Sequence, residues 1–334
     1  MSTLFITQDV SSVRLSNGGL EIGRATPEGS ATARLLLSQI DRITVVGRPP
    51  VTLPALLSLL DAGIPCFFVS SHGRWRGALH SDEDRNAARR IRQYDRAGDR
   101  HFALGIARPL IAAKIGNQLA VLRRFRRNRP EKRWWFQRSP SLERLRRKAL
   151  DAGSLDSLRG TEGAASRAYF EALAGAFPAS MPFEDRNRRP PRDAANSLLS
   201  FSYALLLGEM EGAVRAHGLD PAIGHLHEDR TRTPSLPLDL MEPFRPTCDR
   251  FVVKLANLGV MRTADHFESR DDGGVYLNSD GRHALLPAWE EELERHFAGG
   301  DGQDTTLRRE VRRAVNIYLD ALEGDSSPSF FSLP

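Results

Sequence analysis

The 334-residue sequence contains few of the features that would place it outside an ordinary globular class. Its two cysteines, Cys66 and Cys248, are too few for a disulfide framework or a cysteine zinc site. No apolar run approaches the roughly 18–20 residues of a membrane span, and the N-terminus lacks the basic-then-apolar layout of a secretion signal. Hydrophobic residues make up 40% and charged residues 27%, which are globular values. We therefore expect a cytoplasmic protein with no membrane partner.

Lysine is also scarce, and arginine carries almost all of the positive charge. The chain has four lysines and 43 arginines, and its 47 basic residues against 42 acidic ones give a net charge of +5. Arginine suits bidentate contacts to phosphate. Codon usage in a GC-rich genome would produce the same ratio, so the ratio by itself leaves both interpretations open.

The basic charge is concentrated in one segment. Residues 123–148 hold twelve basic side chains against two acidic ones, and the same segment contains Trp134, Trp135 and Phe136. Concentrated positive charge together with aromatic residues indicates a nucleic-acid contact. The alternative is a solvated helix face followed by a loop.

The hydrophobic pattern changes near residue 80 and predicts an α+β protein with two domains. Short β-rich runs separated by turn residues, with one helix at 52–62, predict a small, mostly antiparallel and sandwich-like β-domain over residues 1–80. Residues 81–86 are polar and are expected to form a linker. Helical spacing then predicts an all-α domain over 87–323, followed by a Ser/Pro-rich, mobile tail at 324–334 in which Phe330 and Phe331 could dock.

An acidic residue with small neighbours is the first candidate for chemistry. Glu162 lies in Gly160-Thr161-Glu162-Gly163, where small neighbours leave room for a ligand beside the carboxylate. The alternative is a first-turn glutamate that stabilises the dipole of a helix.

Two histidines form the second candidate. His225 and His227 are two residues apart, so an extended segment would direct them to the same side. Neutral imidazole binds divalent metals. A surface loop with incidental histidines is the alternative.

A row of charged residues forms the third candidate. Asp239, Glu242 and Arg245 are spaced three apart, so the two acids share a helix face, whereas Pro243 leaves the direction of Arg245 less certain. Two acids aimed together repel each other unless a cation or a proton joins them. A solvated face is the alternative, although the row is embedded in Leu, Met and Phe.

The three candidates together supply carboxylates and an imidazole from separate segments. Such a donor set suits Mg²⁺ or Mn²⁺. A divalent ion beside an arginine-rich surface suggests phosphodiester chemistry.

These segments, in this order, resemble the Cas1 family, the integrases and endonucleases of CRISPR adaptation. The resemblance covers nearly the whole chain. Its motifs are IARPLIAAKIGNQ at 106–118, GTEG at 160–163, RPPRD at 189–193, GLDP at 218–221, the histidine at 227 and DLMEPFRP at 239–246.

The resemblance implies that Glu162, His227 and Glu242 bind the catalytic Mg²⁺ or Mn²⁺. Asp239, one turn before Glu242, looks like the family's additional acid and could also serve as a ligand. His225 stands where the family usually has an apolar residue, which makes it the weaker ligand candidate.

The resemblance also implies which residues meet DNA. Arg245 looks like a catalytic residue that faces the scissile phosphate. Lys114 and Arg189 are expected to bind DNA, and Asn196 and Ser200 either touch the DNA backbone or support the site.

The same resemblance implies a reaction and the partners of the chain. The chain would form a homodimer, assemble with a small Cas2 partner subunit, and join the 3′-hydroxyl ends of a captured DNA duplex to the CRISPR repeat by transesterification. With water as the attacking group, the same site would nick DNA. A branched-DNA repair nuclease and a catalytically silent DNA-binding scaffold are the alternative functions.

Overall fold

The computed structural model describes residues 3–26, 29–81, 87–128, 135–188, 190–227, 234–300, 302–324 and 328–333. Its N-terminal part consists of short strands and one helix. These elements are β1 (Thr3–Ile6), β2 (Val10–Ser16), β3 (Gly19–Thr26), β4 (Gly29–Leu36), β5 (Arg42–Val46), α1 (Leu53–Asp61), β6 (Cys66–Val69) and β7 (Trp75–Leu79).

The N-terminal strands form an antiparallel sheet in the order β2-β3-β4 and a mixed sheet in the order β1-β5-β6-β7. In the mixed sheet, β5 is parallel to both β1 and β6, and only β7 is antiparallel. The expected antiparallel arrangement is therefore wrong for this sheet. For β5 and β6 the reason is α1, which crosses over between them and returns the chain in the same direction, whereas β1 and β5 are connected through the β2-β3-β4 sheet.

The antiparallel sheet begins with a tight hairpin. Asn17 and Gly18 both have positive φ angles, 46° and 73°, as a two-residue hairpin turn of the primed type requires. The third strand, β4, was not expected, because its small and polar residues are almost all exposed and leave no apolar alternation to read. It is held by its pairing with β3 along its whole length.

The C-terminal part is mainly helical, which confirms the α+β class. Its helices are α2 (Ala87–Ala97), α3 (Arg100–Asn128), α4 (Trp135–Leu150), α5 (Leu155–Leu173), α6 (Ala194–Ala216), α7 (Ser235–Leu240), α8 (Arg245–Asn257), α9 (Thr263–His266), α10 (Ser279–Glu294) and α11 (Leu307–Glu323). None of the described helices is long and apolar enough to cross a membrane.

Two short antiparallel strand pairs interrupt the helical part, so the description of it as all-α is wrong in this detail. They are β8 (Phe267–Ser269) with β9 (Val275–Leu277), and β10 (His296–Ala298) with β11 (Asp304–Thr306). Each strand has three residues, too few for a periodic pattern to reveal.

The core of the helical part is built around α6. The side chain of Asp193 caps the start of α6 by accepting a hydrogen bond of 2.7 Å from the backbone of Asn196. Nearly every residue of the helix is buried, because α7, α8, α11 and strand β6 pack around it. The helix thus links the N-terminal sheet to the elements that carry the candidate site.

The expected linker and the C-terminal tail differ in how much of them the structure describes. Strand β7 and helix α2 flank the expected linker, of which residues 82–86 lie outside the described part of the chain. The tail was expected to be mobile, but residues 328–333 are docked on the helical part. Phe330 and Phe331 are each 6% exposed. Burial of two large aromatic side chains outweighs the polar composition of the segment.

Candidate active site

Four separate segments bring the candidate residues together. Helix α3 supplies Lys114, α5 supplies Glu162, and the loop after α6 supplies His227. The fourth segment runs from α7 through a 3₁₀ turn (Glu242–Phe244) to the first residue of α8, Arg245. The turn forms because Pro243 cannot continue the hydrogen-bonding pattern of α7.

Glu162 lies in the middle of a helix, not at its start. Helix α5 begins at Leu155, after the N-cap Ser154, so the helix-dipole interpretation of Glu162 is wrong. A Cβ atom added at Gly160 or Gly163 would meet no atom within 4 Å. The side chain of Glu162 itself is 28% exposed, so a large substrate can approach the carboxylate from solvent.

Lys114 joins the two glutamates. Its ammonium group contacts Glu162 Oε1 and lies 2.6 Å from Glu242 Oε2. Burial opposes the charge of Lys114, but the two carboxylates raise its pKa above the ordinary value. Burial likewise opposes ionisation of Glu162, but Lys114 lowers the pKa of that carboxyl. The lysine is thus the cation that two converging acids require, and it is only 6% exposed.

Asp239 fixes the orientation of His227. Its Oδ2 accepts hydrogen bonds from the backbone N–H groups of His225 and Leu226, and its Oδ1 accepts one of 3.0 Å from the backbone of His227. The ring Nδ1 of His227 lies 2.6 Å from the same Oδ1. Both oxygens of Asp239 therefore accept hydrogen bonds inside the protein, and this arrangement makes Asp239 a residue that positions His227.

The consequence for His227 is a defined tautomer. A proton on Nδ1, donated to Asp239, leaves the Nε2 lone pair free, and Nε2 lies 3.8 Å from Glu242 Oε1. Burial opposes protonation of the ring, but the hydrogen bond to Asp239 raises its pKa. The loop is also tied to α5, since the guanidinium of Arg159 donates to the carbonyl of Leu226 at 2.9 Å.

His225 serves the core and not the site. It is 1% exposed, its Nε2 lies 2.8 Å from the hydroxyl of Tyr318, and its ring meets Phe102 edge-on at 5.1 Å. Burial lowers the pKa of its imidazole. The expectation that His225 and His227 share a side is wrong, because the chain bends at residues 225–227 and is not extended there. A Cβ at Gly224 would lie only 2.9 Å from Asp239 Oδ2.

Glu242 and Arg245 form a second buried ion pair of the site. Arg245 Nε donates to Glu242 Oε1 at 2.7 Å, and the guanidinium lies over the ring of Tyr203 at 5.0 Å. Burial opposes ionisation of Glu242, but Arg245, Lys114 and His227 hold its pKa well below the ordinary value. The glutamate thus remains a carboxylate at any physiological pH.

Arg186 is a residue that the sequence analysis missed. Its guanidinium lies over the same Tyr203 ring at 5.5 Å and donates to Asn196 Oδ1 at 2.7 Å and to Ser200 Oγ at 3.0 Å. Burial, together with the nearby cations Arg188 and Arg245, lowers the pKa of Arg186 to about 10. Its hydrogen-bond partners in the described residues are neutral, so none of these hydrogen bonds is made to a carboxylate. The arginine-rich run 186–192 indicated a phosphate contact, but it did not distinguish Arg186 from Arg189, which lies outside the described residues.

Asn196 and Ser200 support this arginine. Asn196 is 0% exposed and bonds Arg186, Asp193, the backbone N–H of Asn187 and the carbonyl of Asp185. Its side chain has no atom left for DNA in this arrangement. Of the two roles considered for Asn196 and Ser200, the structure favours support of the site.

Asp249 lies behind Tyr203 and makes the stability of the protein depend on pH. Burial raises its pKa from 3.8 to about 6, although the Tyr203 hydroxyl donates a hydrogen bond to it and the cations Arg186 and Lys114 lower the pKa. Because the folded pKa is raised, the stabilising contribution of this group is complete below pH ~4 and is lost as the pH rises through about 6. We expect Asp249→Asn to abolish that loss, worth about 2–3 kcal/mol at pH 7. Urea unfolding of both proteins between pH 4 and 7 tests this, and parallel curves would contradict it.

The donor set fits a divalent metal ion. Glu162, Glu242 and the Nε2 of His227 are hard or borderline ligands suited to Mg²⁺ or Mn²⁺. Among the residues that the structure describes, no three His, Cys, Asp or Glu side chains are grouped closely enough to hold an ion as they stand. The Lys114 ammonium instead bridges the two glutamates and neutralises the charge that an ion would neutralise.

The sequence is similar to those of Cas1 proteins. Residues 4–291 match the family model described as CRISPR associated protein Cas1. The CRISPR-associated endonuclease Cas1 1 of Thermus thermophilus is 38% identical over 292 residues, which cover 87% of this chain and 86% of that relative.

Two solved structures share the fold. A casposase bound to integration product has a TM-score of 0.87 and 24% identity, covering 100% of this chain and 94% of that one. A Cas6-RT-Cas1–Cas2 complex has a TM-score of 0.83 and 24% identity, covering 99% of this chain and 36% of that one. At this identity the likeness shows the fold alone. The match to the family model and the identity to the relative go further, and they confirm the resemblance: this chain belongs to the Cas1 family of CRISPR-associated proteins.

Proposed function

We propose that this protein is a metal-dependent DNA integrase and endonuclease of CRISPR adaptation. The observation that supports this most directly is the cluster in which Lys114 joins Glu162 to Glu242 while Asp239 holds His227 beside Glu242. Such a cluster, next to buried arginines and an open surface, suits chemistry on a phosphodiester.

In the proposed reaction, the 3′-hydroxyl oxygen of a captured fragment forms a new bond to a phosphorus atom of the repeat. The original P–O bond breaks, and a new 3′-hydroxyl leaves. One phosphodiester replaces another, so no external energy source is required. With water as the attacking group, the same step nicks DNA.

Glu162, Glu242 and the Nε2 of His227 would hold Mg²⁺ or Mn²⁺. Once bound, the ion would polarise the phosphate and lower the cost of forming the attacking alkoxide. Asp239 keeps the Nε2 lone pair of His227 available, because its carboxylate accepts a hydrogen bond from the Nδ1–H group. Lys114 reduces the repulsion between the two glutamates.

Two arginines would stabilise the negative charge that develops on the phosphate in the transition state. Arg245 is ordered by Glu242 and by the Tyr203 ring, and Arg186 is ordered by the same ring and by neutral hydrogen-bond acceptors. Donors that are already in place stabilise a transition state without reorganisation. Arg186 is the better candidate for a direct phosphate contact, because it has no carboxylate partner among the described residues.

DNA and a Cas2 subunit are the proposed partners. The names of the two solved structures, a casposase bound to integration product and a Cas1–Cas2 complex, support these partners for a chain of the same fold. A homodimer is also proposed. Four large hydrophobic side chains of the N-terminal part are 42–66% exposed, and pairing with a second copy would cover them: Leu15, Leu36, Leu53 and Leu57.

A strand-transfer assay separates the proposed function from its alternatives. Purified protein, a short duplex with free 3′ ends and Mn²⁺ are mixed with a supercoiled plasmid that carries a CRISPR repeat, with and without Cas2. Covalent joining that needs both the metal and the 3′-hydroxyl supports the integrase. Nicking of branched DNA without joining indicates the repair nuclease, and binding without either reaction indicates the scaffold.

The basic end of α3 provides a separate prediction about DNA binding. Arg123 and Arg127 are exposed on one face of this helix. If both contact phosphates, the double variant Arg123→Glu/Arg127→Glu binds duplex DNA more weakly and its salt slope falls by about 2. Fluorescence anisotropy across a salt series measures the slope. The variant Arg92→Glu/Arg96→Glu on α2 carries the same charge change and is the control; an equal slope in all three proteins would exclude the contact.

A further inference from the structure

Asn117 holds the turn that carries Glu242. It is 1% exposed and lies on α3, one helical turn after Lys114. Its Nδ2 donates to the carbonyl of Pro243 at 2.7 Å and to the carbonyl of Phe331 at 3.0 Å. Its Oδ1 accepts a hydrogen bond of 2.7 Å from the backbone of Leu333. One buried amide thus connects the candidate site to the C-terminal segment.

Two successive turns of α3 fix two successive residues of the 3₁₀ turn. Lys114 contacts the side chain of Glu242, and Asn117 contacts the backbone of Pro243. Pro243 has no N–H group, so its carbonyl is the polar backbone group through which this position can be held. The side chain of Glu242 is therefore anchored through both its carboxylate and the backbone of the next residue.

The C-terminal segment holds the same turn from a second direction. The ring of Phe331 stacks on that of Phe244 with centroids 4.5 Å apart and planes within 5°. Phe331 also meets Phe297 of strand β10 edge-on at 6.3 Å. Phe244 follows Pro243 directly. The segment at 330–333 therefore packs on Phe244, and it is hydrogen-bonded to Asn117, the residue that also bonds Pro243.

We propose that Asn117 and Phe331 form a positioning clamp that holds Glu242 in the orientation required for metal binding. The inference rests on the proposed function, in which Glu242 is a metal ligand, and it adds the residues that set its geometry. Neither residue needs to touch DNA or the ion. Both act through the 3₁₀ turn, and residues that orient a ligand typically change metal affinity or activity 10- to 100-fold when they are replaced.

The test compares Asn117→Ala and Phe331→Ala with Asn257→Ala. Asn257 also donates two hydrogen bonds to backbone carbonyls, those of Ala176 at 2.9 Å and Val253 at 2.8 Å, but at the other end of α8. Free Mn²⁺ is measured by electron paramagnetic resonance during titration of each protein. We expect both clamp variants to bind Mn²⁺ at least about 10-fold more weakly than the wild type. Asn257→Ala should bind Mn²⁺ with wild-type affinity, even if its Tm falls by as much as that of the clamp variants.

Two further measurements decide whether the two residues act together on the turn. The double variant Asn117→Ala/Phe331→Ala should lose no more Mn²⁺ affinity than the weaker-binding single variant, because both changes release the same turn. Hydrogen exchange of the backbone amides of Phe244 and Arg245, which bond the carbonyl of Met241, should accelerate in both single variants. Additive losses, or unchanged exchange at these amides, would overturn the clamp.

The test of the clamp can fail independently of the proposed integrase function. If the wild-type protein binds Mn²⁺ but joins no DNA, the integrase is wrong while Mn²⁺ affinity still decides the clamp. If the wild-type protein binds no Mn²⁺, the ligand role of Glu242 fails and overturns the proposal as stated. Unchanged Mn²⁺ affinity in both variants, with Tm lowered as in Asn257→Ala, would assign Asn117 and Phe331 to general stability alone.

Discussion

Replacing Glu162 by glutamine is expected to reduce metal-dependent strand transfer about 10³-fold and to leave DNA binding intact. A bound divalent ion contributes several kcal/mol of transition-state charge stabilisation, and each ~1.4 kcal/mol corresponds to a tenfold rate. Glutamine keeps the shape of the side chain but removes the charge that attracts the ion. The fold should tolerate the change, because the Glu162 side chain is 28% exposed on the surface of α5.

The matched control is Glu171→Gln, the same substitution at an exposed position on the same helix. It should retain wild-type strand transfer, and both variants should bind a fluorescent duplex as tightly as the wild type. The ligand assignment of Glu162 is wrong if Glu162→Gln joins DNA at the wild-type rate. Glu242→Gln is less clean, because it leaves the buried cations Lys114 and Arg245 without their shared partner, and breaking a buried pair costs about 3–5 kcal/mol of stability.

Replacing Asp239 by asparagine is expected to reduce strand transfer about 10- to 100-fold. The aspartate accepts hydrogen bonds from three backbone N–H groups and from the ring of His227. Asparagine has one acceptor oxygen, so its NH₂ group must face one of these donors. A ring that loses its acceptor at Nδ1 is free to carry its proton on Nε2, where the lone pair for the ion is needed.

Nuclear magnetic resonance of ¹⁵N-labelled histidine provides a readout that a merely structural role would not change. In the wild type, His227 should be the Nδ1-protonated tautomer when neutral, and Asp239→Asn should shift the population toward Nε2. Asp220→Asn is the control, because Asp220 also accepts a backbone N–H, that of Ala222 at 2.8 Å, but lies outside the site. Normal strand transfer by Asp239→Asn would show that the tautomer does not matter.

The three candidate ligands could be chosen from the sequence because their motifs resemble those of the Cas1 family, whereas each motif alone also fitted an ordinary structural role. Glu162 has glycines close on either side, His227 follows a glycine-proline loop, and Glu242 precedes a proline. The choice between Glu242 and Asp239 could not be made from spacing, since both point to the same side. The structure favours Glu242, because the bend at residues 225–227 brings three backbone N–H groups onto the carboxylate of Asp239.

Other parts of the site depend on contacts between residues that are distant in sequence. Lys114 on α3 contacts Glu162 on α5, which lies 48 positions later in the sequence. No local pattern predicts such a contact. Arg186 was hidden because neighbouring arginines are equivalent until burial distinguishes them. The same limit applies to the fold. The long helices and most N-terminal strands followed from periodicity, whereas strand β4, the three-residue strands, the parallel pairing through α1 and the docking of Phe331 could not be predicted from a local pattern.

The most direct test of the central claim is a crystal soaked in Mn²⁺, with an anomalous difference map calculated at a wavelength where manganese scatters strongly. The account predicts a peak in contact with Glu162, Glu242 and the Nε2 of His227, with Lys114 moved away from at least one glutamate. It also predicts that Asp239 keeps its hydrogen bonds to residues 225–227. A peak bound by Asp239 or His225, or no peak at this cluster at saturating Mn²⁺, would contradict the account.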